Sequence, residues 1–164
     1  LIEAQISDGS HEIVLATRQG MAIRFPESKV RAMGRAAYGV RGIKMAKGDY
    51  VIGMVVVKRD STLLVVTENG YGKRTDIEDY RVTNRGGKGI INVKASERNG
   101  EVVCIKEVLD NDELILITKN GIANRQSVKD IHVIGRNTQG VRLISLKGGD
   151  LVTDVARVVK EDEA

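Results

Sequence analysis

Arg85, Gly86, Gly87, Lys88 and Gly89 put two cations and three glycines into five consecutive residues. Glycine lets backbone N–H groups come close to an anion, so the stretch has the composition of a phosphate cradle. Its spacing excludes the two common nucleotide loops. A P-loop requires Ser or Thr after its lysine to ligate magnesium, whereas Gly89 and Ile90 follow Lys88. No G-x-G-x-x-G leads into a helical pattern, so the dinucleotide fingerprint is absent as well. His11 and His132 have no Cys or His at metal-ligand spacing, and no G-x-S-x-G elbow occurs. Asp76, Glu78 and Asp79, and likewise Glu161, Asp162 and Glu163, read as surface carboxylates, while Asp60, Asp110 and Asp112 suit turns. The single cysteine, Cys104, sits in the apolar run VVCIKEV and reads as a buried, inert thiol. No cofactor, metal or catalytic constellation is therefore expected, and anion binding through positive charge is what remains.

The elements that would position these cations repeat. Segments beginning at His11, Ser61 and Asn111 align over roughly fifty residues each. Thr17, Thr67 and Thr118 correspond, as do Gly20, Gly70 and Gly121, and then Arg24, Arg74 and Arg125. Further on, Arg35, Arg85 and Arg136 correspond, followed by Gly39, Gly89 and Gly140, the second glycine standing nineteen positions after the first in every copy. Each copy reads as four short strands. EIVLAT, LLVVT and LILIT end at turns, Asn69-Gly70 and Asn120-Gly121 being strong hairpin signals. A second short run follows, such as MAIRF, then a polar loop, then GVRGIKM, GIINVKA or GVRLISL with period-two alternation, and a closing run such as YVIGMVVVK.

Four strands over some fifty residues is the size of a propeller blade. The sequence predicts an all-β, propeller-like array: residues 1–10 as the end strand of a preceding blade, blades at 11–60, 61–110 and 111–160, and an acidic tail at 161–164. Three blades and a strand are too few to close a ring, since propellers use about four to eight. The 164-residue chain starts at Leu1 rather than Met, and it reads as a piece of a longer protein. Aromatics make up 3% of the chain, so its core is expected to be aliphatic.

The net charge of +4 is unevenly spread. Residues 28–48, 80–96 and 131–149 contain no Asp or Glu, yet they hold half of the twenty-six Lys and Arg residues. These are Lys29, Arg31, Arg35, Arg41, Lys44 and Lys47; Arg81, Arg85, Lys88 and Lys94; and Arg136, Arg142 and Lys147. The windows occupy the same part of each repeat, so symmetry predicts one curved positive track along an edge of the array. Such a stripe suits a stiff polyanion, and duplex DNA carries one charge per ~1.7 Å of axis. No helix is available for the major groove and aromatic platforms for single strands are nearly absent, so backbone contact with little base reading is expected.

These features together resemble the C-terminal domain of DNA gyrase A. The resemblance rests on the four-stranded repeats, the RGGKG loop, and the stretches KVRAMGRAAYGVRGIKM, TENGYGKRT and VIGRNTQGVRLI. It implies a β-pinwheel, in which blades exchange strands, usually six in number. It also implies that duplex DNA is wrapped around a positive rim in support of negative supercoiling. The cleavage and ATPase machinery of this type II topoisomerase would lie in other domains, in the rest of gyrase A and, through it, in gyrase B. Arg85, Gly86, Gly87, Lys88 and Gly89 match the last five positions of that family's Gln-Arg-Arg-Gly-Gly-Lys-Gly box, while Thr83 and Asn84 replace the first two.

Two alternatives stay open: the related DNA-binding domain of topoisomerase IV, and a propeller serving as a protein-interaction platform. No stretch is long enough to span a membrane and no signal peptide is visible, so a cytoplasmic, nucleoid-associated location is the expectation.

Overall fold

The computed structural model describes residues 1–58 and 60–159. It is all-β, with eleven strands among those residues and only three single-turn 3-10 segments besides. The predicted acidic tail falls outside them.

Strands β1 (Glu12–Thr17) and β2 (Met21–Pro26) form the first hairpin, β4 (Thr62–Thr67) and β5 (Tyr71–Asp76) the second, and β8 (Glu113–Thr118) and β9 (Ala123–Ser127) the third. Each turns on a left-handed glycine, Gly20, Gly70 or Gly121, whose N–H donates to the carbonyl of Thr17, Thr67 or Thr118 at 3.0–3.1 Å. The threonine hydroxyls close the same turns, Thr17 and Thr118 accepting from Met21 and Ile122 N–H and Thr67 donating to the Tyr71 carbonyl. Strands β3 (Val51–Val57), β7 (Val102–Val108) and β11 (Val152–Val158) pair with β1, β4 and β8. They pack beside one another and so form the inside of the array.

The remaining two strands are short and are lent to a neighbour. β6 (Ile90–Ile91) belongs to the second repeat but pairs with β2 of the first, and β10 (Val141–Arg142) of the third pairs with β5 of the second. The sheet orders are β3-β1-β2-β6, β10-β5-β4-β7 and β11-β8-β9. The strand exchange implied by the resemblance is thus present, and a blade is not one contiguous fifty-residue unit.

Two expectations change with it. The run GVRGIKM of the first repeat forms no strand, since among the described residues no earlier β2-like edge receives it, and the third sheet has three strands among those residues. Residues 1–10 also form no strand. They run exposed, tied to β3 and its end by the Gln5 amide on the Met54 carbonyl and by Lys58 Nζ on the Ile6 carbonyl.

Burial explains why β4 is apolar from Leu63 to Val66. Leu63 and Val65 point into the core shared with the first blade, where Val14, Ala16 and Val55 meet them. Leu64 and Val66 point the other way, to Leu114, Leu116 and Val155 of the third. A strand with a blade on each side needs hydrophobic residues on both faces of its pleat. On the terminal β8 the alternation is one-sided: Leu114 and Leu116 are buried and Ile117 is exposed.

Candidate nucleic-acid interface

Because the exchanged strands are the outermost of their sheets, the acid-free segments containing them lie on the rim. They also touch in series. Gly86 N–H donates to the Gly42 carbonyl and Lys44 N–H to the Gly87 carbonyl, joining the first segment to the second. Lys94 N–H donates to the Thr138 carbonyl at 2.9 Å, joining the second to the third. The three basic windows therefore form one hydrogen-bonded band rather than three separate loops.

Along this band Lys29, Arg31, Arg35, Arg41, Lys44, Lys47, Arg81, Lys88, Lys94, Arg142 and Lys147 are exposed. Arg85 and Arg136 are half-buried, and each reaches back to the repeat before it. Arg85 donates from Nε to the Lys29 carbonyl (2.8 Å) and from Nη1 to the Arg41 carbonyl (3.0 Å). Arg136 Nη1 donates to the Ile91 carbonyl at 2.7 Å, the position equivalent to Arg41 one repeat later. These two arginines fix the spacing of successive rim segments, and only their remaining N–H groups are left for a ligand.

Within the opening stretch, Gly89 has a structural task of its own. Gly86 and Gly89 have φ of 82° and 74°. A Cβ on Gly89 would collide with the Ala22 carbonyl oxygen, and one on Gly140 would stand 2.7 Å from that of Gly72. Gly89 and Gly140 thus admit the exchanged strands to the preceding blade, whereas a Cβ on Gly86 or Gly87 would meet only ordinary contacts.

Below the rim lies a layer the sequence did not reveal. Arg24 is buried, donating from Nε to Glu12 (2.6 Å) and from Nη1 to the carbonyls of Ile77 (2.7 Å) and Tyr80 (3.1 Å), both in the next repeat. Arg74 repeats this one blade on, with Nε on the Ile131 carbonyl at 2.7 Å and an ion pair to Asp110. Lys73 is fully buried beside it and caps the carbonyls of Gly135 and Arg136. Burial, with Arg136 adding to it, pushes the Lys73 ammonium down to about 8, against the pull of Asp79. At neutral pH it still carries its proton and holds the foot of the third rim loop.

Tyr80 is buried too, donating to Asn92 Oδ1 at 2.6 Å, and burial raises its phenol above the ordinary range. Tyr38 is exposed on the first loop. Cys104 is buried, its thiol pushed up to about 12, as an inert core residue should be. No group of three or more His, Cys, Asp or Glu with metal-holding geometry occurs among the described residues.

Two arginine–tyrosine groupings bring in Arg18 and Arg98, which lie outside the predicted set. Arg18 stacks over Tyr50 at 5.3 Å and pairs with Glu101. Arg98 and Arg142 both stack on Tyr71, at 5.1 and 5.5 Å, and both donate to its hydroxyl. The bond from Arg98, then that from Arg142, lowers the Tyr71 phenol below its usual value. Arg18 and Arg98 escape a search for acid-free windows because Glu97 and Glu101 lie beside them in sequence or space.

An open, strand-exchanged array of antiparallel sheets with a basic outer band defines a propeller-class domain. A family model described as DNA gyrase C-terminal domain, beta-propeller, matches residues 11–58, 61–104 and 112–158. The chain belongs to that family. It is 48% identical to the DNA gyrase A of Staphylococcus aureus strain MRSA252 over 164 residues, covering 99% of this chain and 18% of that protein. It thus spans under a fifth of the length of the curated relatives it matches. Among solved structures it resembles the C-terminal domain of DNA topoisomerase IV, with a TM-score of 0.90 and 25% identity over 97% of this chain and 50% of that one. It also resembles the DNA gyrase A C-terminal domain, with a TM-score of 0.87 and 28% identity over 93% and 52%.

Proposed function

We propose that this chain binds duplex DNA along its basic rim and bends it around the array. In doing so it supports negative supercoiling by DNA gyrase as a non-catalytic part of gyrase A. The observation that carries this is the hydrogen-bonded continuity of three acid-free segments, which turns scattered cations into one curved track. A track of this kind neutralises successive phosphates whatever the base sequence, and counterion release supplies the affinity. The described residues include no α-helix to enter a major groove, so contact is with the backbone and any preference comes from DNA deformability. The partners would be the rest of gyrase A and, through it, gyrase B, in the cytoplasm on the nucleoid. None of the described helical turns is long and apolar enough to cross a membrane.

Thr83 and Asn84 stand where the box of the resemblance has Gln and Arg, and this favours a second reading, a topoisomerase IV type domain that binds DNA without efficient wrapping. Fluorescence anisotropy on a labelled linear duplex tests the track itself. A band engaging ~6–10 phosphates loses about 10³–10⁵ in affinity between 50 and 200 mM salt. A flat salt response would remove the basis for both readings.

A further inference from the structure

The grouping of Arg98 and Arg142 over Tyr71 is built for something the rest of the molecule does not supply. Both guanidinium groups are within hydrogen-bond reach of one phenol oxygen, Arg142 Nη2 at 2.9 Å and Arg98 Nε at 3.4 Å. Two like charges brought together in this way repel, and the usual remedy is a carboxylate between them. The parallel grouping has that remedy, since Arg18 over Tyr50 is paired with Glu101. Neither Arg98 nor Arg142 is paired with a carboxylate among the described residues. They line an open cleft of about 270 Å³ whose one lining carboxylate, Asp150, is engaged elsewhere. Its Oδ1 accepts from the N–H groups of Asn120 and Leu151 at 3.0 and 2.9 Å, and its buried Oδ2 bonds neither arginine.

The placement of Arg98 is fixed from beneath. The turn that carries it is held by the fully buried Asn99, whose Nδ2 donates to the carbonyls of Lys94 and Gln139 at 3.0 Å each. Asn69 Nδ2 holds the same turn by the carbonyls of Glu97 and Arg98. The Gln139 bond joins this turn to the loop leading into β10, where Arg142 faces Tyr71 in register. At the equivalent place one junction earlier, Ile91 faces Met21 and there is no cation pair. The tyrosine ring gives both cations a flat, partly dry surface, and such stacking leaves the guanidinium edges with unused N–H donors.

We propose that Arg98 and Arg142, seated on Tyr71, form a phosphate site at the junction of the second and third blades, and that its occupant is a phosphodiester of the bound duplex. Guanidinium groups bind phosphate through paired N–H donors, and the site carries two of them. This rests on the DNA-binding reading above. It extends the rim track through Arg98, a residue outside the acid-free windows, and it gives one junction a grip the preceding junction lacks.

The test uses the whole chain and a labelled linear duplex, with affinity measured over a salt series. Each phosphate contact contributes about −0.9 to the slope of log K against log salt. R98Q/R142Q is expected to flatten that slope by about 1, the share of one phosphate, R98Q alone by part of that, and R98K/R142K to restore most of it as point charges. Thermal unfolding of each variant separates this from loss of fold; if the double variant does not fold, R98Q on its exposed turn decides. An unchanged slope in R98Q and R98Q/R142Q, with the unaltered chain still steep, overturns the site while leaving DNA binding intact. A flat response in the unaltered chain overturns the DNA reading instead. The third arm is inorganic phosphate followed by NMR. Shifts at Arg98 and Arg142 without any change in the DNA slope would assign the site to a free anion and overturn the duplex assignment.

Discussion

Arg24, Arg74 and Arg125 hold one position in successive repeats, and their surroundings differ in an instructive way. Arg74 is 5% exposed and bonded to the Ile131 carbonyl of the following repeat. No repeat beyond that of Arg125 is among the described residues, and its side chain is 62% exposed, with Glu113 as its ion-pair partner. The same residue type at the same offset is a junction staple in one copy and a surface cation in the other. Removing a buried donor leaves its acceptor unsatisfied and costs about 1–3 kcal/mol, whereas an exposed ion pair contributes about 0–1 kcal/mol. Arg74→Met should therefore lower stability by about 1–3 kcal/mol in urea unfolding, and Arg125→Met by under about 1 kcal/mol. Equal effects would mean the carbonyl contacts carry no weight. The recurrence of these arginines is plain in the sequence; their role is not, because the carbonyls of Ile77, Tyr80 and Ile131 become partners only once one repeat is seated on the next.

The exchanged strand is where sequence and structure part most clearly. Period-two alternation in GIINVKA and GVRLISL correctly marks extended chain, yet only Ile90–Ile91 and Val141–Arg142 pair as strands, and they pair with the preceding repeat. Alternation reports which faces are apolar and says nothing of which edge receives the strand, so contiguous blades are the natural reading of the pattern alone. GVRGIKM has the same pattern and, among the described residues, no edge to receive it. The glycine before each exchanged run carries the missing information, since at Gly89 and Gly140 a left-handed φ and a close backbone approach both demand it. Gly89 and Gly39 separate these two demands: φ is 74° and 82°, but a Cβ would collide with the Ala22 carbonyl oxygen in the first case and meet nothing within 4 Å in the second. A Cβ in left-handed backbone costs about 1–2 kcal/mol by itself. Gly39→Ala should lose about that much or less, while Gly89→Ala should lose more and free the rim loop. The readout is faster amide hydrogen exchange at Ile90 and Ile91. If the two variants exchange and unfold alike, the close approach of β6 to β2 is not what fixes this glycine.

At the scale of the molecule, the charge pattern is the most legible feature of the sequence, because acids are missing from the same third of every repeat. Its continuity is not legible there. Bonds such as Lys94 N–H to the Thr138 carbonyl exist only because the outer strands are exchanged, and the exchange also turns Arg85 and Arg136 into spacers between segments. A band whose segments are spaced by hydrogen-bonded arginines has a set curvature, and DNA bound along it as proposed would have to match it. Duplex DNA resists: bending 20–30 bp smoothly by 40–90° costs on the order of 1–6 kcal/mol. A curved rim that contacts DNA along its whole length bears that cost with linear DNA and largely escapes it with DNA already bent. The chain should therefore bind a covalently closed minicircle more tightly than a linear duplex of the same sequence and length, by about tenfold if some 1.4 kcal/mol of bending is relieved. The two salt slopes should agree, since the same phosphates are engaged. Equal affinities with a shallow slope would mean that DNA crosses the rim without following it, and the topoisomerase IV type reading would then take precedence over wrapping.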